Sequence, residues 1–498
     1  MTLRVGAERV TLAGVAQVAR EGAPVVLAAA ARERVAAARA VVERTAAGDA
    51  PVYGVNSALG ANTGRRLSAD DLADYQRRAI RARAVGVGPA YDRASVRAMM
   101  FARIAGLAQG GSGISPPVLD ALVAMLNRGV HPRVPRFGSI GVADLPQLSH
   151  LALPLIGEGE AEFAGAMLPG AVALARAGLS PVALGAKDGL ALISANAATV
   201  GRAALVMADA LRLADAWLSA IALSFEGFRA NLSPLDPRAA AARAAPGQVD
   251  VAQRLRARLA GSALNDAGGA RRVQDPVSLR VVAQVHGSLQ VALDRARDEV
   301  EIELNSAAES PLVVDDVMLS NGNFHLPSLA LAFDTAAIAF AQAASMGVER
   351  TLRFMTPALT DLPLQLTRHG PAHSGFATIQ KTLTALWSEI RQRANPGSLD
   401  FLPVSEGVED HATMALLVVE KLGEIVERAR YVVAFELVVA AQAVDLRALD
   451  PRTLGGGARA AYATVRRHVA FLDEDRPLGP DVERIAAALA AGAFGASA

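Results

Sequence analysis

Apolar residues recur at helical spacing over four long stretches of the chain, 189–231, 279–305, 329–354 and 408–446. The first contains no proline. At ~1.5 Å of rise per residue it would span ~65 Å unbroken, too long for the core of an ordinary domain, and this predicts a shared bundle. All four stretches are apolar on more than one side yet carry scattered Gln, His and Glu, as helices buried against other helices do. The first 185 residues read differently. Shorter helical patterns at 24–45, 68–85, 95–107 and 117–128 alternate with glycine-rich turns at 54–64 and 110–113. Pro24 is expected at a first helical position, where its missing N–H costs nothing. After Pro451 come three consecutive glycines, Gly455 to Gly457, and two short helical patterns. No strand-like alternation and no repeat competes with this reading. The pattern predicts an all-α chain: an N-terminal portion with the functional loops (1–185), a central long-helix bundle (186–450) and a C-terminal helical cap (451–498). Helices with several apolar faces also predict an oligomer, since one chain can hardly cover them all.

Composition narrows the possibilities. The 498 residues are 52% hydrophobic and 20% charged, which supplies ample core. Fifty Lys+Arg against 49 Asp+Glu give a net charge of +1, so charge offers no case for nucleic acid or an anionic membrane as partner. With no cysteine, disulfides, thiolate metal sites and a cysteine nucleophile are all excluded. The start carries Glu8 and lacks a basic-then-apolar pattern. The most apolar run, 335–348, is closed by Glu349-Arg350. A cytoplasmic protein is the expectation.

Five clusters carry candidate chemistry. Tyr53 to Gly64 sets a phenol among glycines, as a lid loop would. Gly138-Ser139-Ile140-Gly141-Val142-Ala143-Asp144-Leu145-Pro146 leads into a helical pattern, and Gln274-Asp275-Pro276-Val277-Ser278-Leu279-Arg280 starts another. Asn321-Gly322-Asn323-Phe324-His325 and Glu406-Gly407-Val408-Glu409-Asp410-His411 complete the set. Singly, each has an ordinary structural reading. The tyrosine could pack inward, Arg280 could be a solvated charge, and Glu409 and Asp410 suit the first turn of a helix. None has metal-ligand spacing, and no phosphate-binding loop or serine elbow occurs, so no metal is expected there.

Together and in this order, the clusters resemble the histidine/phenylalanine/tyrosine ammonia-lyase and aminomutase superfamily, from about residue 10 to residue 490. The resemblance implies an all-α homotetramer whose active sites each draw on three subunits. It implies Tyr53 as general base, Arg280 as the grip on a substrate carboxylate, and Gln274, Phe324 and Glu409 as site-lining residues. The family's electrophile, MIO, forms by cyclisation of an internal Ala-Ser-Gly. Where the family reads G-S-V-G-A-S-G-D-L, this chain reads Gly-Ser-Ile-Gly-Val-Ala-Asp-Leu, one residue shorter. Val142-Ala143, just before Asp144, offers neither the hydroxyl to be lost nor the unhindered glycine nitrogen. The expectation is a member without MIO and without any other cofactor. Other positions also depart from the family pattern: Val277 stands for a site tyrosine, Ser194 for an asparagine, and Ser310 for the asparagine of D-N-P-L. Arg83 occupies the position where the family selects the substrate's ring.

A phenol and arginines would then carry the chemistry. Holding a tyrosinate at pH ~7 costs ~4 kcal/mol from a pKa of ~10, less beside a cation. The reading that follows is Tyr53-based proton transfer on a small, amino-acid-like carboxylate substrate, for elimination of a good leaving group, conjugate addition or cyclisation, or isomerisation. Arg83 would favour a second anionic group on that substrate, or would merely pair with an acid such as Glu409. Two alternatives stand beside it. One is a non-catalytic tetramer that binds a carboxylate through Arg280, with Val277 collapsed onto Tyr53. The other is a conventional aromatic amino acid ammonia-lyase.

Overall fold

The computed structural model describes residues 2–48, 52, 54–57 and 69–495; Tyr53 lies outside them. The fold is mostly α-helical. Four long helices dominate, Ala197–Phe228, Val282–Leu304, Pro327–Arg353 and Ala415–Leu446. The chain divides into two compact units, the first made of 1–208, 296–333 and 396–420, the second of 209–295, 334–395 and 421–498.

The first unit is organised around helix Arg93–Leu107, capped by Asp92 and buried at every residue from Ser95 to Leu107. Two arginines sit inside it. Arg97 donates to the carbonyls of Val18 (2.8 Å) and Leu126 (3.1 Å), and Arg103 pairs with buried Glu309 at 2.9 Å. In the second unit Arg350 and Glu436 form a fully buried ion pair at 2.6 Å and 2.8 Å. Glu436 also accepts from Trp217 (3.0 Å) and Ser224 (2.9 Å), and Arg350 donates to the Ser278 carbonyl (3.0 Å). Every carboxylate lone pair that water would have served is thus met by a protein donor.

Three features depart from the pattern-based reading. Pro24 does not open a helix: Val25–Leu27 pairs in parallel with Leu3–Val5, and the helix begins at Ala29. Other short strands occur, including the hairpin Leu312–Val314 with Val317–Leu319. The stretch 189–231 is broken, because Ser194 leaves the helical region (φ −86°, ψ 67°) between Asp188–Ile193 and Ala197–Phe228. By length and apolarity, 188–228 and 327–353 could cross a membrane. However, 94% and 61% of their apolar windows are buried inside the protein, as in core helices.

Candidate active site

In the first unit, the segment 138–144 is held at both ends. Gly141 has φ +81°, and a Cβ there would lie 2.3 Å from the Thr413 hydroxyl, so only glycine fits. Thr413 donates to the Gly141 carbonyl (3.0 Å), and the Met414 N–H donates to Ile140 (2.9 Å). At the other end Asp144 is completely buried. Its carboxylate accepts from the Ser139 hydroxyl (2.7 Å) and from the Thr199 N–H (2.7 Å) and hydroxyl (2.8 Å). It therefore caps the start of the long helix Ala197–Phe228, where the helix dipole favours a negative charge. Burial pushes the Asp144 carboxyl up, and these donors oppose that shift. Between the anchors, Val142 bridges to His325, and Ala143 takes the left-handed conformation (φ 55°).

Of the predicted residues, Ser194 and Phe324 are brought next to this segment by their chain neighbours, and the others are placed as follows. Ser194 is buried at the end of the short helix before it, and the next residue, Ala195, accepts the Asp144 N–H at 2.8 Å. The Asn196 amide donates to the Phe324 carbonyl. Ser310 accepts the Asn321 N–H at 3.4 Å, two residues before Asn323-Phe324. Glu409 does not lie in a helix: it pairs with Val404 in a tight turn, because Ser405 and Glu406 both adopt positive φ, and the helix starts only at Ala415. Arg83 ends helix Ala69–Arg83 and donates to Ala79 at 3.1 Å; among the described residues it makes no ion pair with Glu409. The glycine three residues on, Gly86, approaches Gly138 closely. Beside Tyr53, Asn56 accepts the Val52 N–H (2.7 Å) and Ser57 donates to the Val52 carbonyl (3.1 Å), so its chain neighbours are pinned.

Gln274, Val277 and Arg280 belong to the second unit. Gln274 is exposed, Val277 is 57% exposed at the start of the short helix Val277–Arg280, and half-buried Arg280 has a buried Nε without a hydrogen-bond partner among the described residues. Tyr53, onto which Val277 would collapse in a plugged site, lies outside the described residues.

Two features were not foreseen. His325 Nε2 and His411 Nδ1 lie 2.8 Å apart, so one ring donates and the other accepts. Burial and the neighbouring His411 push His325 below the usual histidine range. His325 follows the predicted site residue Phe324 and His411 lies two residues after the predicted Glu409, and that closeness in sequence was the available signal. The second feature is Glu303, which shares a small cavity with Arg103, Asn196 and Ser306. Burial, helped by Glu299, pushes its carboxyl up to about 7.

Glu303 predicts a pH dependence. In the unfolded chain it ionises near 4.5, while the folded protein keeps the proton to about 7. Across that window the folded state binds more protons, so stability falls as pH rises and then levels off. Glu303→Gln, which cannot ionise, is expected to gain on the wild type between those pH values, by on the order of 2 kcal/mol at pH ~8. Thermal melts at pH ~4.5 and ~8 check this: equal differences at both would remove Glu303 as the cause.

Comparison with known proteins bears on this arrangement. Residues 10–467 match the family model "Aromatic amino acid lyase". The chain is 42% identical to histidine ammonia-lyase of Sorangium cellulosum, covering 97% of this chain and 96% of that protein. It is 41% identical to the Myxococcus xanthus histidine ammonia-lyase, with 97% and 95% covered. Among solved structures it is similar to ergothionase, the ergothioneine-degrading enzyme of Treponema denticola, with a TM-score of 0.94, 32% identity and 99% of each chain covered. The tyrosine aminomutase of Streptomyces globisporus gives the same score and identity over 99% and 98%. The matched range takes in the long helices, the segment 138–144 and the turn at Glu409, and the chain belongs to the aromatic amino acid lyase family.

Proposed function

We propose that this protein is a lyase that acts on a small, amino-acid-like carboxylate substrate without MIO, with Tyr53 as general base and Arg280 as carboxylate grip. The observation that carries the electrophile-free part is the segment 138–144. No Ala-Ser-Gly occurs anywhere in the chain. Val142 and Ala143 have no hydroxyl to lose, and Ser139, the one serine of the segment, is followed by Ile140 and spends its hydroxyl on Asp144. The residues present do not fit the group. Without it, nothing activates a plain amine as a leaving group, so the substrate must bring a better one. Ergothioneine, degraded by the similar Treponema enzyme, is a betaine whose trimethylammonium can leave unaided as trimethylamine. In such a step the Tyr53 phenolate takes the β-proton, those electrons form the Cα–Cβ double bond, and the C–N pair departs with the amine. Exposed Val273 (90%) and Val277 (57%), flanking Gln274, support a site completed by further copies in a homotetramer.

The named relatives favour a second reading, release of ammonia from histidine, since identities of about 40% run along nearly their whole length. Intact mass and product analysis separate the two. The first reading expects an unmodified mass, no ammonia from histidine, and amine release from a histidine betaine. A mass lighter by two waters together with ammonia release would establish the second and sink the first.

A further inference from the structure

In the second unit, the loop before helix Ile379–Arg393 is fixed against the segment 473–475. The N–H groups of Ser374 (2.7 Å) and Gly375 (2.8 Å) donate to the Asp475 carboxylate, holding it below the usual carboxylate range. Gly375 has φ +51°, and a Cβ there would lie 2.5 Å from the Gln365 carbonyl, which already accepts the Phe376 N–H at 2.9 Å. The backbone therefore has little choice of course, and it sets the rings of His369 and His373 4.5 Å apart between centroids, tilted by 34°. Glu474 reaches both: its oxygens lie 2.9 Å from His373 Nε2 and 3.5 Å from His369 Nε2. An Asp473 oxygen is also 3.5 Å from His369 Nε2. One donor atom each from His369, His373 and Glu474 falls within 4.8 Å of the others. His369 Nε2 and His373 Nδ1 are buried atoms without a hydrogen-bond partner among the described residues.

We propose that His369, His373 and Glu474, with Asp473 as a fourth donor, bind a divalent transition metal ion, Zn2+ being the best match. Zinc binds imidazole and carboxylate at ~2.0–2.2 Å in tetrahedral geometry, which sets neighbouring donor atoms ~3.4 Å apart. The contacts of 2.9 Å and 3.5 Å bracket that value. Two nitrogen donors argue against Mg2+ or Ca2+, which take oxygen ligands. The side chains are 34%, 28% and 71% exposed for His369, His373 and Glu474, which leaves the ion a path from solvent. The ion would join segments about a hundred residues apart, and ligation that exists only in the folded chain stabilises it by mass action.

The test uses untagged full-length protein stripped with chelator and titrated with ZnCl2 against a colorimetric zinc chelator. The expected result is one zinc per chain, with affinity falling at least ~10-fold in His369→Ala, in His373→Ala and in Glu474→Gln, and unchanged in the exposed control His468→Ala. Zinc, but not magnesium, should also raise the Tm of the wild type and leave that of His373→Ala unmoved. If wild type takes up zinc no more tightly than the double variant of His369 and His373, the contacts are ion pairs only and the proposal fails. X-ray absorption on zinc-loaded wild type is independent of any variant's folding: imidazole scattering supports the site, and its absence overturns it.

Discussion

Replacing Tyr53 with Phe is expected to lower kcat by ~10^2–10^4, the range a positioned general base supplies, with little change in KM. The substitution removes one oxygen and leaves the ring, and the neighbouring turn holds itself together: Val55, Asn56 and Ser57 are all buried, and Val52 is tied to Asn56 and Ser57. The comparison with Arg280→Met sharpens the result. In the proposed mechanism Arg280 holds a carboxylate, so its loss should raise KM as well as lower kcat, because the charge-assisted contact exists before the transition state. The pH profile adds a second check. If a tyrosinate is the base, activity should rise with pH through a limb that Tyr53→Phe abolishes. Turnover within a few-fold of wild type in Tyr53→Phe would remove the phenol from the mechanism, whatever the leaving group.

The largest loss of stability is expected from Glu436→Ala. It would strand Arg350 in a site where both side chains are fully buried, and it would also take the acceptor from Trp217 and Ser224. Breaking a buried pair by removing one partner costs ~3–5 kcal/mol, because the remaining charge has no water to turn to. The exposed pair of Glu349 and Arg353 in the helix Pro327–Arg353 is the control: Glu349→Ala should cost below ~1 kcal/mol. Urea midpoints of both variants measured beside the wild type decide the matter. Equal shifts would mean that the buried pair is no more demanding than a surface one.

The long helices were legible because their apolar period persists over many turns, and Pro327–Arg353 lies within a residue or two of the stretch 329–354. Their ends were harder to read. The helix expected from Val408 begins at Ala415, since Ser405 and Glu406 spend positive-φ conformations on a turn that no periodicity announces. Three-residue strands such as Val25–Leu27 are too short to display alternation, so the local pattern favours Pro24 as a helix opener. Within the site, motif order brought Ser194, Phe324 and the segment 138–144 into one neighbourhood. The role of Asp144 was not legible, because its partner Thr199 lies 55 residues along the chain and the bond depends on tertiary folding. The pairing of His325 with His411, 86 residues apart, was hidden for the same reason.

The anchoring of the segment 138–144 bears on how this scaffold can change its chemistry. Gly141 is pinned by the strand of chain leading into Ala415, and Asp144 is pinned as the cap of Ala197–Phe228. Val142 and Ala143, between them, make one backbone bridge and hold neither anchor. That short span is therefore held chiefly by the anchors at its ends, with Ala143 buried at φ 55° and Val142 bridged to His325 between them. An exchange at Val142, the half-buried position between the two anchors, would change the side chain presented there and leave both anchors in place.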